Sequence, residues 1–269
     1  KNKTPGGRAR QFKENGFTFD MGPSFYWMPD AFERYFAQFG KKVTDYYTLH
    51  RLDPSYRIYW NDGFTDMPAD FDELKKVFES IEPGSSSKLE RYLKGAFYKY
   101  EVGVNKLVYK PSRSLTEFMD WETISGVFKL QVFSSIKNHI AQYFKHPKLR
   151  QMMEFPVLFL GALPEDTPAL YSLMNYADIK GGTWYPQGGM YAIVEGMYKL
   201  AIELGVTFHF EENVKEIVID NAVAKKVVTN KNIYEADAVI SGADYQFTEK
   251  QLLPAQYQSY SDKYWNKKV

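Results

Sequence analysis

The sequence contains no cysteine among its 269 residues. Disulfides, thiolate nucleophiles and cysteine-ligated metals are therefore excluded, and a reducing compartment such as the cytoplasm is favoured. Neither sign of charge dominates, because 34 lysines and arginines balance 33 aspartates and glutamates. A nearly neutral chain has no global field that would recruit a nucleic acid. Long apolar runs are missing too, since no stretch approaches the ~20 residues of a membrane-spanning helix.

Motifs of several enzyme classes are also missing. Neither G-x-G-x-x-G nor G-x-x-x-x-G-K-[ST] nor H-E-x-x-H occurs in the sequence. The four histidines show no metal-ligand spacing, so we predict no metal site. Carboxylates are plentiful, but no pair can be assigned to one face of an element, so the catalytic residue stays unknown.

Aromatic residues, in contrast, are abundant. They make up 17% of the sequence, with 21 tyrosines, 20 phenylalanines and 5 tryptophans. Large, rigid apolar side chains serve either a thick core or a broad apolar binding cavity, and composition leaves both open.

Apolar periodicity predicts an α/β fold at both ends of the chain, with a mostly helical insertion between them. The predicted strands cover residues 17–19, 56–60, 206–210, 214–219, 222–229 and 232–235. The apolar run 238–240 is typical of a buried parallel strand. One predicted helix begins at residue 29 and stops at Gly40, and others cover 89–109, 115–145, 147–160 and 190–204.

Three glycine-containing loops are candidates for contact with an anionic ligand. In Gly6-Gly7-Arg8, the two glycines let backbone N–H groups approach an anion, and Arg8 adds a permanently charged fork. Gly22-Pro23-Ser24 is a second loop of exposed backbone. The loop 181–189 opens a helix whose N-terminus could bind an anion, although tight helix–strand packing is the simpler reason for its glycines.

Five motifs occur in order along the chain: T-P-G-G-R-A-R, G-F-T-F-D-M-G-P-S, G-G-T-W-Y-P-Q-G-G-M, N-V-K-E-I-V-I and A-D-A-V-I-S-G-A-D. Together they resemble the FAD-dependent carotenoid desaturases of the bacterial phytoene desaturase type, a group within the flavin amine oxidase superfamily. The resemblance implies a Rossmann-like FAD-binding domain, incomplete here, with a β-meander and a largely helical substrate- and membrane-binding insertion. It also implies a G-x-G-x-x-G segment before Lys1 and a further flavin-contacting segment after Val269.

The resemblance also implies domain ranges. Residues 1–68 would belong to the FAD-binding domain and the start of the substrate domain. Residues 69–180 would form the mostly helical substrate- and membrane-associated region. Residues 181–269 would return to the FAD-binding domain with its β-meander.

Site residues are carried over from the family position by position. Gly6, Gly7 and Arg8 match the loop over the FAD phosphates. Gly22, Pro23 and Ser24 match the segment that passes near the flavin ring. Val214 matches the position whose backbone holds the adenine. No motif transfers a catalytic base.

The implied reaction is desaturation of a carotenoid, with a hydride passing from an allylic C–H to the flavin. A carotenoid carries no charge, so an apolar tunnel must position it, and the aromatic- and methionine-rich helices of residues 115–176 suit that tunnel. We expect peripheral contact with a membrane surface. The candidates for a membrane-facing mouth are Val127, Phe128, Leu130, Phe133, Phe155, Leu158, Phe159 and Leu160.

Three alternatives stay open at this point. The first is a carotenoid 3,4-desaturase acting on a hydroxylated carotene, such as a γ-carotene derivative. The second is a flavin amine oxidase, which shares the Gly-Gly-Arg loop but needs a cage for a cationic head. The third is a flavin- or carotenoid-binding remnant without turnover. The sequence predicts no oligomeric state.

Overall fold

The structure is a computed structural model that describes residues 1–104, 108–109, 114 and 130–267. The chain divides into two compact units. Residues Lys1–Gly22 and Met197–Val269 form the first, here called the terminal unit, and Pro23–Gly196 form the second, the central unit. The domain ranges 1–68, 69–180 and 181–269 stay a prediction. Residues 115–129 of the expected helix 115–145, with Val127 and Phe128, lie outside the described residues. Within 131–145 the helix is confined to Ile136–Ala141, so a continuous helix up to residue 145 is wrong.

The described strands are short and all their ladders are antiparallel. They are β1 (Arg10–Glu14), β2 (Phe17–Met21), β3 (Leu49–Arg51), β4 (Tyr56–Trp60), β5 (Gly63–Met67), β6 (Trp184–Pro186), β7 (Val214–Asp220), β8 (Val223–Thr229) and β9 (Ile233–Glu235).

Helices make up most of the central unit. The described α-helices are α1 (Pro29–Ala37), α2 (Phe71–Ile81), α3 (Ser85–Val102), α4 (Ile136–Ala141), α5 (Pro147–Glu154), α6 (Leu173–Ile179), α7 (Tyr191–Glu203), α8 (Tyr245–Phe247) and α9 (Asp262–Trp265). Short 3₁₀ segments cover Val43–Asp45, Phe155–Leu160, Ala169–Ser172 and Ala255–Tyr257, and a π-helical turn covers Thr248–Leu252.

The terminal unit consists of a hairpin and a three-stranded meander. In the β1–β2 hairpin, Asn15 and Gly16 both have positive φ, at 51° and 82°, as the tight two-residue turn between twisted strands requires. The meander has the order β7–β8–β9. The first residues of the chain lie against it, because Lys1 N donates to Glu212 O at 2.7 Å and Glu211 N donates to Asn2 O at 3.0 Å.

The core of the central unit lies among α2, α3, α4 and α5. Asp70 caps α2 by accepting a hydrogen bond from Glu73 N at 2.9 Å, and the apolar face of the helix then buries Leu74 and Phe78. The other fully buried members of this cluster include Leu89, Tyr92, Ala96, Ile136, Ile140, Phe144, Leu149, Met153 and Val157. Burial of large apolar side chains is what holds these short helices together, since isolated helices of this length are marginal in water.

The loop 181–189 contains a strand that the sequence did not reveal. Its residues 184–186 form β6, which pairs with β3 so that His50 lies opposite Tyr185. Trp184 N also donates to Tyr26 O at 3.0 Å. The glycines around β6 therefore serve packing as well as turning: a Cβ on Gly181 would lie 2.4 Å from Ala177 O.

Two predicted strands are wrong. Residues 206–210 and 238–240 form no strand, and Ile240 is 97% exposed rather than buried. A strand exists only where a second backbone satisfies its N–H and C=O groups, and no described strand lies beside either run. An apolar run without a neighbouring strand therefore stays irregular.

Two predicted helices have different limits in the structure. The helix expected over 89–109 begins four residues earlier, at Ser85, and ends at Val102. The α-helix expected over 147–160 ends at Glu154 and continues as a 3₁₀ segment. Pro156 explains that change, because a proline has no N–H to donate and its ring clashes with the preceding turn of an α-helix.

Candidate functional site

The structure brings the first two glycine loops into contact within the terminal unit. Gly22 has φ +109°, and a Cβ at this position would lie only 2.7 Å from Arg8 O. Gly6 and Gly7 also have positive φ, at 104° and 57°, and Ala9 N closes a turn onto Gly6 O at 2.9 Å. The end of β2 thus packs directly on the Gly6–Arg8 turn, which only glycine at position 22 permits.

A groove of about 1140 Å³ lies along these loops. Its lining includes three cationic residues, Lys1, Arg8 and Arg10, against one acid, Asp244. Among the ion pairs of the described residues, none involves Arg8. A Cβ on Gly7 or Gly242 would meet open space, so these two backbone segments leave room for a ligand. The groove therefore combines positive charge with accessible backbone, which is what an anionic ligand requires.

A second cavity of about 460 Å³ adjoins the groove and contains Val214. Lys1, Gly242 and Ala243 line both spaces. The remaining lining of the second cavity is mostly apolar: Val214, Ile217, Val227, Val239, Ile240, Phe247 and Leu252. Gly6, Gly7, Arg8, Gly22 and Val214 therefore lie along two adjoining cavities, one cationic and one apolar.

Pro23 and Ser24 follow Gly22 but belong to the central unit, where both are exposed. Directly after them, Phe25 and Trp27 take part in a cluster of five aromatic rings, which we call the aromatic wall: Phe25, Trp27, Tyr56, Phe155 and Phe159. The ring centroids of Trp27 and Phe159 are 4.9 Å apart, those of Tyr56 and Phe155 are 5.1 Å apart, and Phe25 contacts all four others. Four of the rings are half-buried, while Phe159 is 48% exposed.

A buried polar network lies behind the aromatic wall. Asp178 accepts hydrogen bonds from Tyr56 Oη at 2.6 Å and from Thr183 Oγ1 at 2.9 Å. Thr183 Oγ1 in turn accepts one from Trp27 Nε1 at 2.8 Å. Burial raises the pKa of Asp178 to about 6, although its two hydrogen bonds act in the opposite direction. Sequence reasoning missed this network, and its only signal was the polar Thr183 inside G-G-T-W-Y-P.

A buried lysine was also missed. Lys99 is only 2% exposed and donates to Gln131 Oε1, Ala169 O and Ser172 Oγ at 2.9–3.0 Å. Burial lowers its pKa to about 8. The neighbouring His139 is buried as well, and burial followed by the charge of Lys99 lowers its pKa to about 4. Sequence periodicity places both residues on helices but gives no sign that they are enclosed.

The candidates for a membrane-facing mouth have different surroundings. Phe133 is 87% exposed, Leu158 is 67% exposed and Leu160 is 41% exposed. Leu130 is 2% exposed, so it belongs to the interior and its assignment to such a mouth is wrong. Val127 and Phe128 lie outside the described residues. No helix in the described part of the chain is long and apolar enough to cross a bilayer. The same residues contain no cluster of acidic and histidine side chains that could hold a metal ion.

Comparison with known proteins identifies relatives that match this chain over most of its length. Carotenoid 3,4-desaturase of Haloarcula japonica is 42% identical over 271 residues, which cover all of this chain and 55% of that protein. The zeta-carotene-forming phytoene desaturase of Myxococcus xanthus is 31% identical over 94% of this chain and 49% of that protein. The chain thus spans about half the length of the curated relatives it matches.

Solved structures show a similar fold. An oxidoreductase from Methanosarcina mazei superposes with a TM-score of 0.59 over 99% of this chain and 57% of that protein, at 17% sequence identity. This likeness supports the predicted α/β fold with an incomplete Rossmann-like domain. The sequence also matches the family described as flavin containing amine oxidoreductase over residues 2–259. Family membership implies a flavin cofactor, and the cationic groove with its accessible glycine backbone fits the phosphates of such a group. The chain belongs to the flavin-containing amine oxidoreductases.

Proposed function

We propose that this chain is part of an FAD-dependent carotenoid desaturase. The observation that carries the proposal is the 42% identity to a carotenoid 3,4-desaturase over the whole chain. The contact between Gly22 and Arg8 O supports it, because it joins two loops that the resemblance assigns to one cofactor. The proposed reaction removes two hydrogens from adjacent carbons of a polyene, and the flavin supplies the hydride acceptor.

Each candidate residue then has a proposed role. Gly6 and Gly7 present backbone N–H groups to the FAD diphosphate, and Arg8 adds two parallel donors to its oxygens. Gly22, with Pro23 and Ser24, forms the segment beside the flavin ring. Val214 lines the apolar cavity that adjoins the groove, which is a suitable environment for adenine.

The proposed substrate is an uncharged carotenoid. Between the two desaturation types, the 3,4-reaction is favoured, since the identity is 42% to the 3,4-desaturase and 31% to the phytoene desaturase. A flavin amine oxidase is the competing proposal, and family membership alone does not separate the two. It would need carboxylates or an open aromatic cage to receive a cationic amine. The two side-chain polar atoms of the aromatic wall, Trp27 Nε1 and Tyr56 Oη, already donate hydrogen bonds to Thr183 and Asp178.

We also propose that the protein draws its substrate from a membrane surface. Carotenoids partition into the bilayer, and the segment containing Leu158 and Leu160 offers large apolar side chains to it. Phe133, which is 87% exposed, precedes residues that contact the stretch 164–168: Ser135 and Pro168 form an antiparallel bridge, and Lys137 N donates to Pro164 O at 3.2 Å. Exposed apolar patches of this kind are typical of membrane or protein contact.

The test uses the native-length protein, meaning this chain together with the remaining polypeptide that its relatives have. The purified protein should show flavin absorbance, and extraction should release FAD rather than FMN. Product analysis after supplying γ-carotene derivatives, phytoene or a diamine then separates the alternatives. Turnover of the diamine without any change in the carotenoids would support the amine oxidase. Bound FAD with no turnover of any substrate would support a non-catalytic flavin-binding protein.

A further inference from the structure

The five rings of the aromatic wall are partly exposed, and the proposed flavin site does not account for that exposure. They are too exposed to be an ordinary core, since four are half-buried and Phe159 is 48% exposed. They also contact one another over ring-centroid distances of 4.9–6.1 Å, so they form one continuous surface. Soluble proteins seldom leave a large contiguous apolar surface unless a ligand or partner covers it.

Both side-chain polar atoms of the wall are already hydrogen-bonded. Trp27 Nε1 donates to Thr183 Oγ1, and Tyr56 Oη donates to Asp178 Oδ2 at 2.6 Å. Phenylalanine contributes no polar atom. The side chains of the wall therefore offer a ligand aromatic contact with no free N–H or O–H donor and no charge, which suits an uncharged hydrocarbon.

Two rings connect the wall to neighbouring segments of the chain. Phe25, which contacts the other four rings, directly follows Ser24, which we have proposed to lie beside the flavin ring. Phe159 contacts Phe25 at a centroid distance of 5.2 Å and lies in the sequence between Leu158 and Leu160, which are 67% and 41% exposed. The wall is therefore continuous both with exposed aliphatic side chains and with the segment proposed to lie beside the flavin ring.

We infer that the aromatic wall is the surface along which the uncharged polyene chain of the substrate lies. This inference rests on the proposed function and names the residues that position its substrate. Aromatic faces suit a conjugated chain because flat π-systems pack closely on one another. Asp178 accepts the hydrogen bond of Tyr56 Oη, and Thr183, which also donates to Asp178, accepts that of Trp27 Nε1, so both polar side chains of the wall are held by buried partners.

The test measures polyene binding in the native-length protein with flavin bound. The probe is retinyl acetate in detergent micelles, an uncharged polyene that absorbs where tryptophan emits. Replacing Phe155 and Phe159 together with alanine should weaken binding about 100-fold, because each lost ring contact is worth about tenfold. The matched control replaces Tyr59 and Phe64, an exposed ring pair of the β4–β5 hairpin whose centroids are 6.3 Å apart. That control should leave the affinity unchanged.

A second variant tests the inference even if the alanine pair fails to fold. Phe159→Trp places a fluorescent donor at an exposed position of the wall, and retinyl acetate should quench its added emission. The control Phe64→Trp places the donor on the β4–β5 hairpin, where the same probe should leave the added emission unquenched. Equal quenching at both positions would overturn the inference.

The remaining outcomes separate this inference from the proposed function. If the unaltered protein desaturates a carotenoid and the alanine pair binds retinyl acetate equally well, the wall is not the binding surface and the desaturase proposal stands. If the unaltered protein neither binds nor desaturates any polyene, both fail. If the alanine pair loses liposome binding but keeps its micellar polyene affinity, the wall is a membrane contact. If the alanine pair loses its bound flavin, the wall has a structural role in the protein and is not the binding surface of the polyene.

Discussion

The position of Arg8 at the groove is set by the loop that contains it. The turn at Gly6 and Gly7 presents it at the edge of the groove, and the groove already carries Lys1 and Arg10. Arg8→Ala would remove a charge-assisted contact worth about 1.5–3 kcal/mol, so the affinity for FAD should fall about 10- to 150-fold. Arg8→Lys should restore only part of this, because a point charge does not reproduce the planar fork. Flavin titration of the apoprotein measures both.

The matched control for Arg8 is Lys13, an exposed cation of β1. Lys13 does not line the groove of the terminal unit. Lys13→Ala should therefore leave the FAD affinity unchanged. Equal affinities in all three variants would show that Arg8 is an ordinary surface arginine.

Asp178 makes the stability of the fold depend on pH. Its folded-state pKa is raised to about 6, above the ~3.9 of an unfolded aspartate, chiefly by burial. The folded state therefore binds its proton more tightly, so the stabilisation is fully present below about pH 4 and is lost as the pH rises through about 6. The loss amounts to at most about 3 kcal/mol.

The measurement compares the free energy of unfolding of the unaltered protein with that of Asp178→Asn, which cannot ionise. Their difference should change by up to about 3 kcal/mol between about pH 4 and about pH 7, with the unaltered protein losing stability as the pH rises. Taking a difference is necessary because His139, whose pKa is lowered to about 4, titrates over the same range in the opposite direction. A difference that is flat with pH would show that Asp178 ionises as freely in the folded state as in the unfolded one.

At the scale of the elements, two glycines give opposite expectations. Gly95 lies on the exposed face of α3 with open space around it, so Gly95→Ala should stabilise the protein by about 0.5–1 kcal/mol. Gly181 ends the turn after α6, where a Cβ would lie 2.4 Å from Ala177 O. Gly181→Ala should therefore destabilise it by about 1–3 kcal/mol. Thermal melts should show Tm rising by a few degrees in the first variant and falling in the second. A rise in both would mean that the loop before β6 relaxes freely.

The sequence was most informative where local chemistry decides the structure. The run Tyr56–Trp60 predicted strand β4, and the runs 214–219, 222–229 and 232–235 predicted the three strands of the meander β7–β9. Prediction from the sequence failed where a strand depends on a partner far away in the chain. β6 forms because it pairs with β3, and the paired residues Arg51 and Trp184 are 133 positions apart. The run 238–240 stays irregular because no described strand lies beside it.

Some residues of the candidate site are recognisable from the sequence, and others are not. Glycines with positive φ, such as Gly6 and Gly22, are recognisable from sequence because few other residues adopt that conformation. The network of Asp178, Tyr56 and Thr183 was not recognisable, since its members are up to 127 residues apart and none stands out by type. Only their burial shows that they act together.

At the scale of the whole molecule, the proposed membrane contact should be driven by apolar area rather than by charge. Two lysines near the exposed apolar segment are already paired, Lys137 with Glu165 at 3.6 Å and Lys148 with Asp62 at 2.8 Å. Replacing Phe133 and Leu158 together with aspartate should weaken liposome binding at least tenfold, because each buried side chain of this size is worth about 1.5–3 kcal/mol. Co-sedimentation with neutral vesicles measures this.

Salt and a control pair complete that experiment. Binding of the unaltered protein should change little between low and high salt, since Lys137 and Lys148 are already paired with carboxylates. Aspartate at Tyr59 and Phe64 should not affect binding, although both side chains are exposed. Strong salt dependence, or equal losses in both pairs, would locate the membrane contact on a different surface.

The enclosure of Lys99 has a consequence for how the molecule's internal motion can be observed. An ordinary lysine is almost fully protonated at pH 8, whereas about half of a population with a pKa of about 8 carries the neutral, nucleophilic amine. With only 2% of the residue exposed, an acylating reagent cannot reach that amine while α3 stays packed on Ala169–Ser172. Once these elements part, the amine regains both access and an ordinary pKa. The rate at which Lys99 is acylated therefore reports how often α3 separates from the Ala169–Ser172 segment.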